Sequence, residues 1–144
     1  MPLDFRIFPE RGLVVVRYEG MARVADTMRV FGEYAAHPDF SPGQKQLVDL
    51  TALTDYERDF AAVMELQAAK ADHLAGPGAQ SLIVYLAPGP VAREMSALIT
   101  RSWEDVDAVI ACILESEAEA LEVLGQKERS LAELYAATGG DALQ

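Results

Sequence analysis

The sequence predicts a single α/β domain of order β-β-α-β-α-β-α-β-α, with a mixed, mostly parallel sheet and an N-terminal antiparallel hairpin. Three observations predict it. Two apolar strand-like runs open the chain with only a short turn between them. After them, short apolar runs alternate with stretches of helical period. Gly and Pro clusters mark the joints. Strands that alternate with helices pair in parallel through right-handed crossovers, whereas a tight hairpin is necessarily antiparallel. A chain of 144 residues buries roughly 70% of its unfolded surface, enough for one core.

Asp4–Pro9 alternates, with Phe5, Ile7 and Pro9 on one side and Arg6 and Phe8 on the other. Glu10-Arg11-Gly12 turns the chain into a second strand, Leu13–Tyr18, which Gly20 ends. The first helix is expected from Met21 to about Ala36, with Val24, Met28, Phe31 and Ala35 facing inward. His37-Pro38 stops it. Gln46–Leu50 reads as a short buried strand, followed by a polar loop, Thr51–Asp59. The second helix is expected from about Asp55 to Leu74 on a stripe of Phe60, Val63, Met64, Gln67, Ala71 and Leu74, closed by Gly76-Pro77-Gly78.

Ser81–Leu86 is an apolar run bounded by breakers, the pattern of an interior strand. Pro90 suits the first turn of a third helix whose inner face is Val91, Met95, Leu98 and Ser102. Asp107–Leu114 is the next strand. Ser116 with Glu119 forms a capping-box start for a helix that turns Ala118, Leu121 and Leu124 inward and ends at Gly125. These elements make a unit of residues 1–125. Residues 126–144 form an extension in which Leu131, Leu134 and Tyr135 suggest another short helix, seated on its own domain or on a second subunit.

Composition narrows the function. The net charge of −11 repels phosphate backbones and anionic lipid, so nucleic-acid binding is not expected. Residues 104–144 carry ten acids and two bases, net −8, an acidic third that suits a solvated helix or a basic partner. No apolar stretch approaches the ~20 residues of a membrane span, and no signal peptide is expected at Met1-Pro2-Leu3-Asp4. Cys112 is the single cysteine and lies in an apolar run, so a core role and a cytoplasmic setting are expected.

No catalytic or cofactor pattern stands out. His37 and His73 sit apart at expected helix ends and form no zinc motif. The glycines make neither a dinucleotide fingerprint nor a phosphate loop, and no serine lies in a nucleophile elbow. Neither metal nor cofactor is expected, and the chain does not read as an enzyme.

In open α/β sheets, ligands and partners meet the carboxyl ends of the parallel strands. Those ends are the Thr51–Asp59 loop and Ala87-Pro88-Gly89-Pro90, followed by Arg93. Thr54 or Asp55 is positioned to cap the second helix, and Glu57, Arg58 and Asp59 would lie in its first turn. A cation near a helix N-terminus is unfavourable. Arg93 therefore needs a carboxylate such as Glu94 or Glu57, or an anionic ligand or partner. The candidate partner-binding set is Thr54, Asp55, Tyr56, Arg58, Asp59 and Arg93.

Three stretches carry a family resemblance: Leu47-Val48-Asp49-Leu50-Thr51, Ser81–Leu86 with Ala92-Arg93-Glu94-Met95, and Glu117–Gly125. With the element order over about residues 4–125, they resemble the STAS domain family, in particular its SpoIIAA-like bacterial members. The last stretch is similar to the closing helix of a STAS/Sec14-like group. The resemblance implies a sheet covered by helices largely on one side. It also implies a serine, in a D-S-S-G-like segment, that starts the second helix and switches partner binding when phosphorylated. Register from Leu47-Val48-Asp49-Leu50 puts that segment at about Glu57-Arg58-Asp59-Phe60, where neither serine nor glycine occurs. The phosphoserine switch is therefore not expected; Asp59 stands where it would imitate a charged state. Thr51, Thr54 and Tyr56 are nearby hydroxyls outside the motif. The function expected is a non-catalytic STAS-type module with a protein partner. A Sec14-like ligand- or lipid-binding domain and a homodimer built through the C-terminal extension are the alternatives.

Overall fold

The computed structural model describes residues 3–59, 61–66, 68, 80–103 and 109–137. β1 (Leu3–Phe8) and β2 (Leu13–Ala22) form the antiparallel hairpin, in register from Leu3 opposite Tyr18 to Phe8 opposite Leu13. One 3-10 turn, Pro9–Arg11, joins them, and Gly12 leaves it at φ 59°, a left-handed conformation that a residue without Cβ adopts freely. α1 (Val24–Ala35), β3 (Lys45–Tyr56), α2 (61–66), β4 (Ser81–Leu86), α3 (Pro90–Ser102), β5 (Val109–Leu114), α4 (Glu117–Val123) and α5 (Leu131–Ala137) follow. The five strands lie in the order β1-β2-β3-β4-β5, and every pair after the hairpin is parallel. This is the mixed sheet the sequence predicts.

The helices cover both faces of the sheet, not largely one. Successive residues of the inner strands are apolar, as in Leu13-Val14-Val15-Val16 and Ile83-Val84-Tyr85-Leu86, so each face presents a surface that must be buried. Val14, Tyr18, Val48, Ile83 and Tyr85 pack with α1 and α3. Leu13, Val15, Leu47, Val84 and Leu86 pack with α4 and α5 through Leu121, Leu124, Leu131 and Leu134.

Helix faces differ in detail from the expected stripes. α1 buries Thr27, Val30 and Tyr34, while Met28 is half exposed. The polar ends of the buried residues are paired: Tyr18 Oη lies 3.0 Å from Thr27 Oγ1, and Tyr34 donates to Gln44 Oε1 at 2.5 Å. Met64 of α2 is likewise exposed, and Leu66 is buried instead; Phe60, Gln67, Ala71 and Leu74 lie outside the described residues. α3 buries Ala92, Met95 and Ser96, and Ser102 is half-buried. α4 begins as expected, with Ser116 Oγ accepting from the Glu119 N–H at 3.1 Å, though Ala120 rather than Ala118 is its fully buried alanine. Trp103 is buried and donates to Tyr85 Oη at 3.0 Å, a packing role. The start expected for the fifth strand at Asp107 and the turn at Gly76-Pro77-Gly78 lie outside the described residues.

Candidate functional site

Because β2, β3, β4 and β5 are parallel, their carboxyl ends share one edge of the molecule. That edge is uneven. β4 accompanies β3 only from Gln46 to Asp49, whereas β2 follows it to Ala22 opposite Tyr56. The segment expected as a loop is therefore strand as far as Tyr56, and Gly20 does not end β2. The register shifts twice, between Arg17 and Glu19 and between Gly20 and Met21, and each shift takes one extra residue on β3. Such bulges re-aim side chains and are frequent beside functional sites. Gly20, at φ 76°, permits the second shift. Tyr56 and Leu53 anchor the overrun in the core.

Arg58 is the centre of the site. Its Nη1 lies 2.9 Å from Asp55 Oδ1 and donates to the Tyr56 carbonyl at 3.2 Å, and its Nη2 lies 3.3 Å from Glu94 Oε2. The guanidinium also stacks over the Tyr56 ring at 4.3 Å. Arg93 pairs with Glu115 at 2.7 Å. The Tyr56 N–H and then Arg58 hold the Asp55 carboxyl below its ordinary range. Burial, followed by the nearby Glu94 carboxylate, pushes the Tyr56 hydroxyl up.

Of the expected residues, Asp55, Tyr56 and Arg58 form one contact network, with Thr54 exposed on the same strand. Asp59 has a structural duty, since its Oδ1 accepts from the Ala62 N–H at 3.1 Å and caps α2. Neither Thr54 nor Asp55 is the cap, because both still belong to β3. Arg93 is not held by Glu94 or Glu57. Glu94 serves Arg58, and Glu57 Oε1 accepts from the Val24 N–H at 2.8 Å at the start of α1. Glu94 was expected beside Arg93 and instead serves Arg58, whereas Glu115 and Asp49 were not among the expected site residues. Glu115 directly follows the last residue of a parallel strand, a position that places it on this edge. Asp49 is an acid inside an apolar strand; it is buried and accepts from the Thr51 N–H and hydroxyl at 3.0 and 2.7 Å.

The edge therefore carries two exposed arginines, Arg58 paired with two carboxylates and Arg93 with one. Among the described residues no group of three His, Cys, Asp or Glu side chains is placed to hold a metal ion. His37 Nδ1 accepts from the Asp39 N–H, and His73 lies outside the described residues. Burial pushes the Cys112 thiol up, which disfavours the reactive thiolate. No helix among the described residues is long and apolar enough to cross a membrane.

No family model and no curated protein matches the chain. Among solved structures, the anti-sigma factor antagonist SpoIIAA in its unphosphorylated form superposes with a TM-score of 0.50 at 12% identity, over 85% of this chain and 97% of that one. The fold is SpoIIAA-like.

Proposed function

We propose that this chain is a non-catalytic regulatory module of STAS type that docks a protein partner at the carboxyl edge of its parallel strands, without a phosphoserine switch. One observation carries the reading. The β3 overrun holds Arg58 by two carboxylates, a backbone carbonyl and an aromatic face, yet leaves its side chain 48% exposed. A pre-organised, solvent-facing arginine over a buried tyrosine is the kind of anchor that protein interfaces use, because little side-chain freedom remains to be lost on binding. The structural neighbour is named an anti-sigma factor antagonist, so an anti-sigma factor is the first partner class to test. Lipid binding is less well supported, since a pocket for such a molecule needs roughly 300–1,000 Å³, and the hollows lined by described residues hold about 50 and 40 Å³ on the α1 and α3 face and about 260 Å³ at the open turn between β1 and β2.

The test is capture of anti-sigma factors of the source organism by the wild type and by Arg58→Glu/Arg93→Glu, with circular dichroism to verify folding. Asp59 is left intact because it caps α2. Capture by the wild type that the folded variant loses supports the reading. Equal capture by both moves docking off this edge, and no capture by either argues against this partner class.

A further inference from the structure

The sheet ends in two edge strands of different character. β1 carries Asp4 and Arg6 and is followed by Pro9, charges and a breaker of the kind that keep an edge from pairing with another chain. β5, Val109-Ile110-Ala111-Cys112-Ile113-Leu114, has neither charge nor proline. Its register along β4 is unbroken, from Val109 opposite Ser81 to Leu114 opposite Leu86. An edge without such protection is a template for a further strand.

The direction of its main-chain groups follows from the ladder. In a parallel pair a residue turns its N–H and C=O to one side, and the residues next to it turn theirs to the other. The Leu114 carbonyl accepts from the Ala87 N–H at 2.8 Å, so Leu114, Cys112 and Ile110 bond toward β4. Ala111 and Ile113 therefore point their N–H and C=O outward, where no described residue pairs with them. Ile110 is 50% exposed and shares its sheet face with Cys112 and Leu114, which pack toward α4. Val123 ends α4, the helix on that face, and is 47% exposed.

We infer that β5 pairs antiparallel with β5 of a second copy of this chain, joining two sheets into one across a two-fold axis. Charge limits where copies can meet. With a net charge of −11 they repel one another, so their contact has to lie on uncharged surface, and β5 supplies it. Glu115, the acid next to the strand, is already paired with Arg93 at 2.7 Å. A two-fold axis perpendicular to the sheet sets residues of the same face opposite one another, so Ile110 meets Cys112 or Leu114 of the second copy. Ile110 and Val123 of both copies then come to one side of the joined sheet. A foreign strand would gain the main-chain bonds at Ala111 and Ile113, but a copy also brings a second apolar patch to the same place.

Sedimentation equilibrium of the full chain, from micromolar to millimolar concentration, tests this on the wild type, Ala111→Pro and Ile110→Lys, with circular dichroism to verify folding. The proline removes an outward N–H and leaves the β4 ladder whole, a placement that an edge strand tolerates. The lysine puts charge on the pairing face from an exposed position, and it serves if the proline variant does not fold. The expected result is a wild-type dimer whose dissociation constant rises at least tenfold in each folded variant. A wild type that stays monomeric throughout would overturn the inference and leave the edge to a foreign strand. A folded variant that dimerises as tightly as the wild type would also overturn it, by placing the contact elsewhere, as on α5. None of these outcomes depends on docking at Arg58.

Discussion

Arg11 and Glu128 are more than a hundred positions apart in the chain, yet form a two-pronged pair at 2.7 and 3.1 Å, with Gln126 accepting from the same guanidinium at 2.8 Å. The Glu128 side chain is only 5% exposed. Arg11 holds its carboxyl below the ordinary range, so the folded state binds this proton less readily than the unfolded one. The pair's contribution is therefore present above the unfolded value of about 4.3 and is lost as pH falls through the depressed folded value. Urea midpoints of the wild type and Glu128→Gln at pH 7 and pH 3 test this. The wild type should lead at pH 7 and the gap should narrow by pH 3; a gap of constant size would contradict the assignment. The same scale shows why some core residues were hard to read in the sequence. Apolar periodicity selects Met28, but Thr27 and Tyr34 are buried because Tyr18 and Gln44 satisfy their hydroxyls. Glu128 is hidden from such a reading for the same reason.

At the scale of elements, the order and pairing of strands were legible because each strand is a compact apolar run with breakers beside it. The end of β3 was not. Its last residues, Thr51–Tyr56, are mostly polar because only β2 accompanies them, and a strand covered on fewer sides has less need of apolar residues. Local side chains help satisfy this protruding backbone: Asp49 accepts from the Thr51 N–H, Asp55 from the Tyr56 N–H, and Arg58 donates to the Tyr56 carbonyl. Part of the candidate site was thus visible as a cluster of charged residues, but its geometry depended on a strand extension that composition disguises. Where a start signal is purely local, as at α4, the sequence suffices. Ser116→Ala removes the acceptor of the Glu119 N–H and should cost about 1 kcal/mol, a fall of roughly 3 °C in melting temperature. Glu119→Gln, which keeps that backbone donor, should change it far less. Equal losses in the two variants would show that the Glu119 side chain contributes as much to the helix start as the serine cap.

At the scale of the whole molecule, the sheet is a wall between two cores, and the second depends on the end of the chain. Leu131 and Leu134 of α5 are buried with Leu121, Leu124, Phe8 and Val15. Tyr135 stacks on Phe8 at 6.1 Å, and the Arg6 guanidinium lies over both rings. Burial, with the Asp49 charge next, pushes the Tyr135 hydroxyl up to about 12. We therefore expect the boundary at residue 125 to divide the chain in sequence but not in cooperativity. Leu134→Ala leaves a cavity at a fully buried site and should cost about 2–5 kcal/mol, against a total stability on the order of 5–15 kcal/mol. Removing 126–144 takes away Leu131, Leu134, Tyr135 and Glu128 together and uncovers the apolar face of α4. The shortened chain should therefore lose cooperative unfolding, as read by urea denaturation with size-exclusion chromatography. If it instead unfolds cooperatively near the wild-type midpoint, residues 1–125 are self-sufficient and α5 is an appendage. The Leu134→Ala variant separates the cases independently. In one cooperative unit its midpoint falls while its denaturant slope stays that of the wild type; in an appendage the midpoint hardly moves.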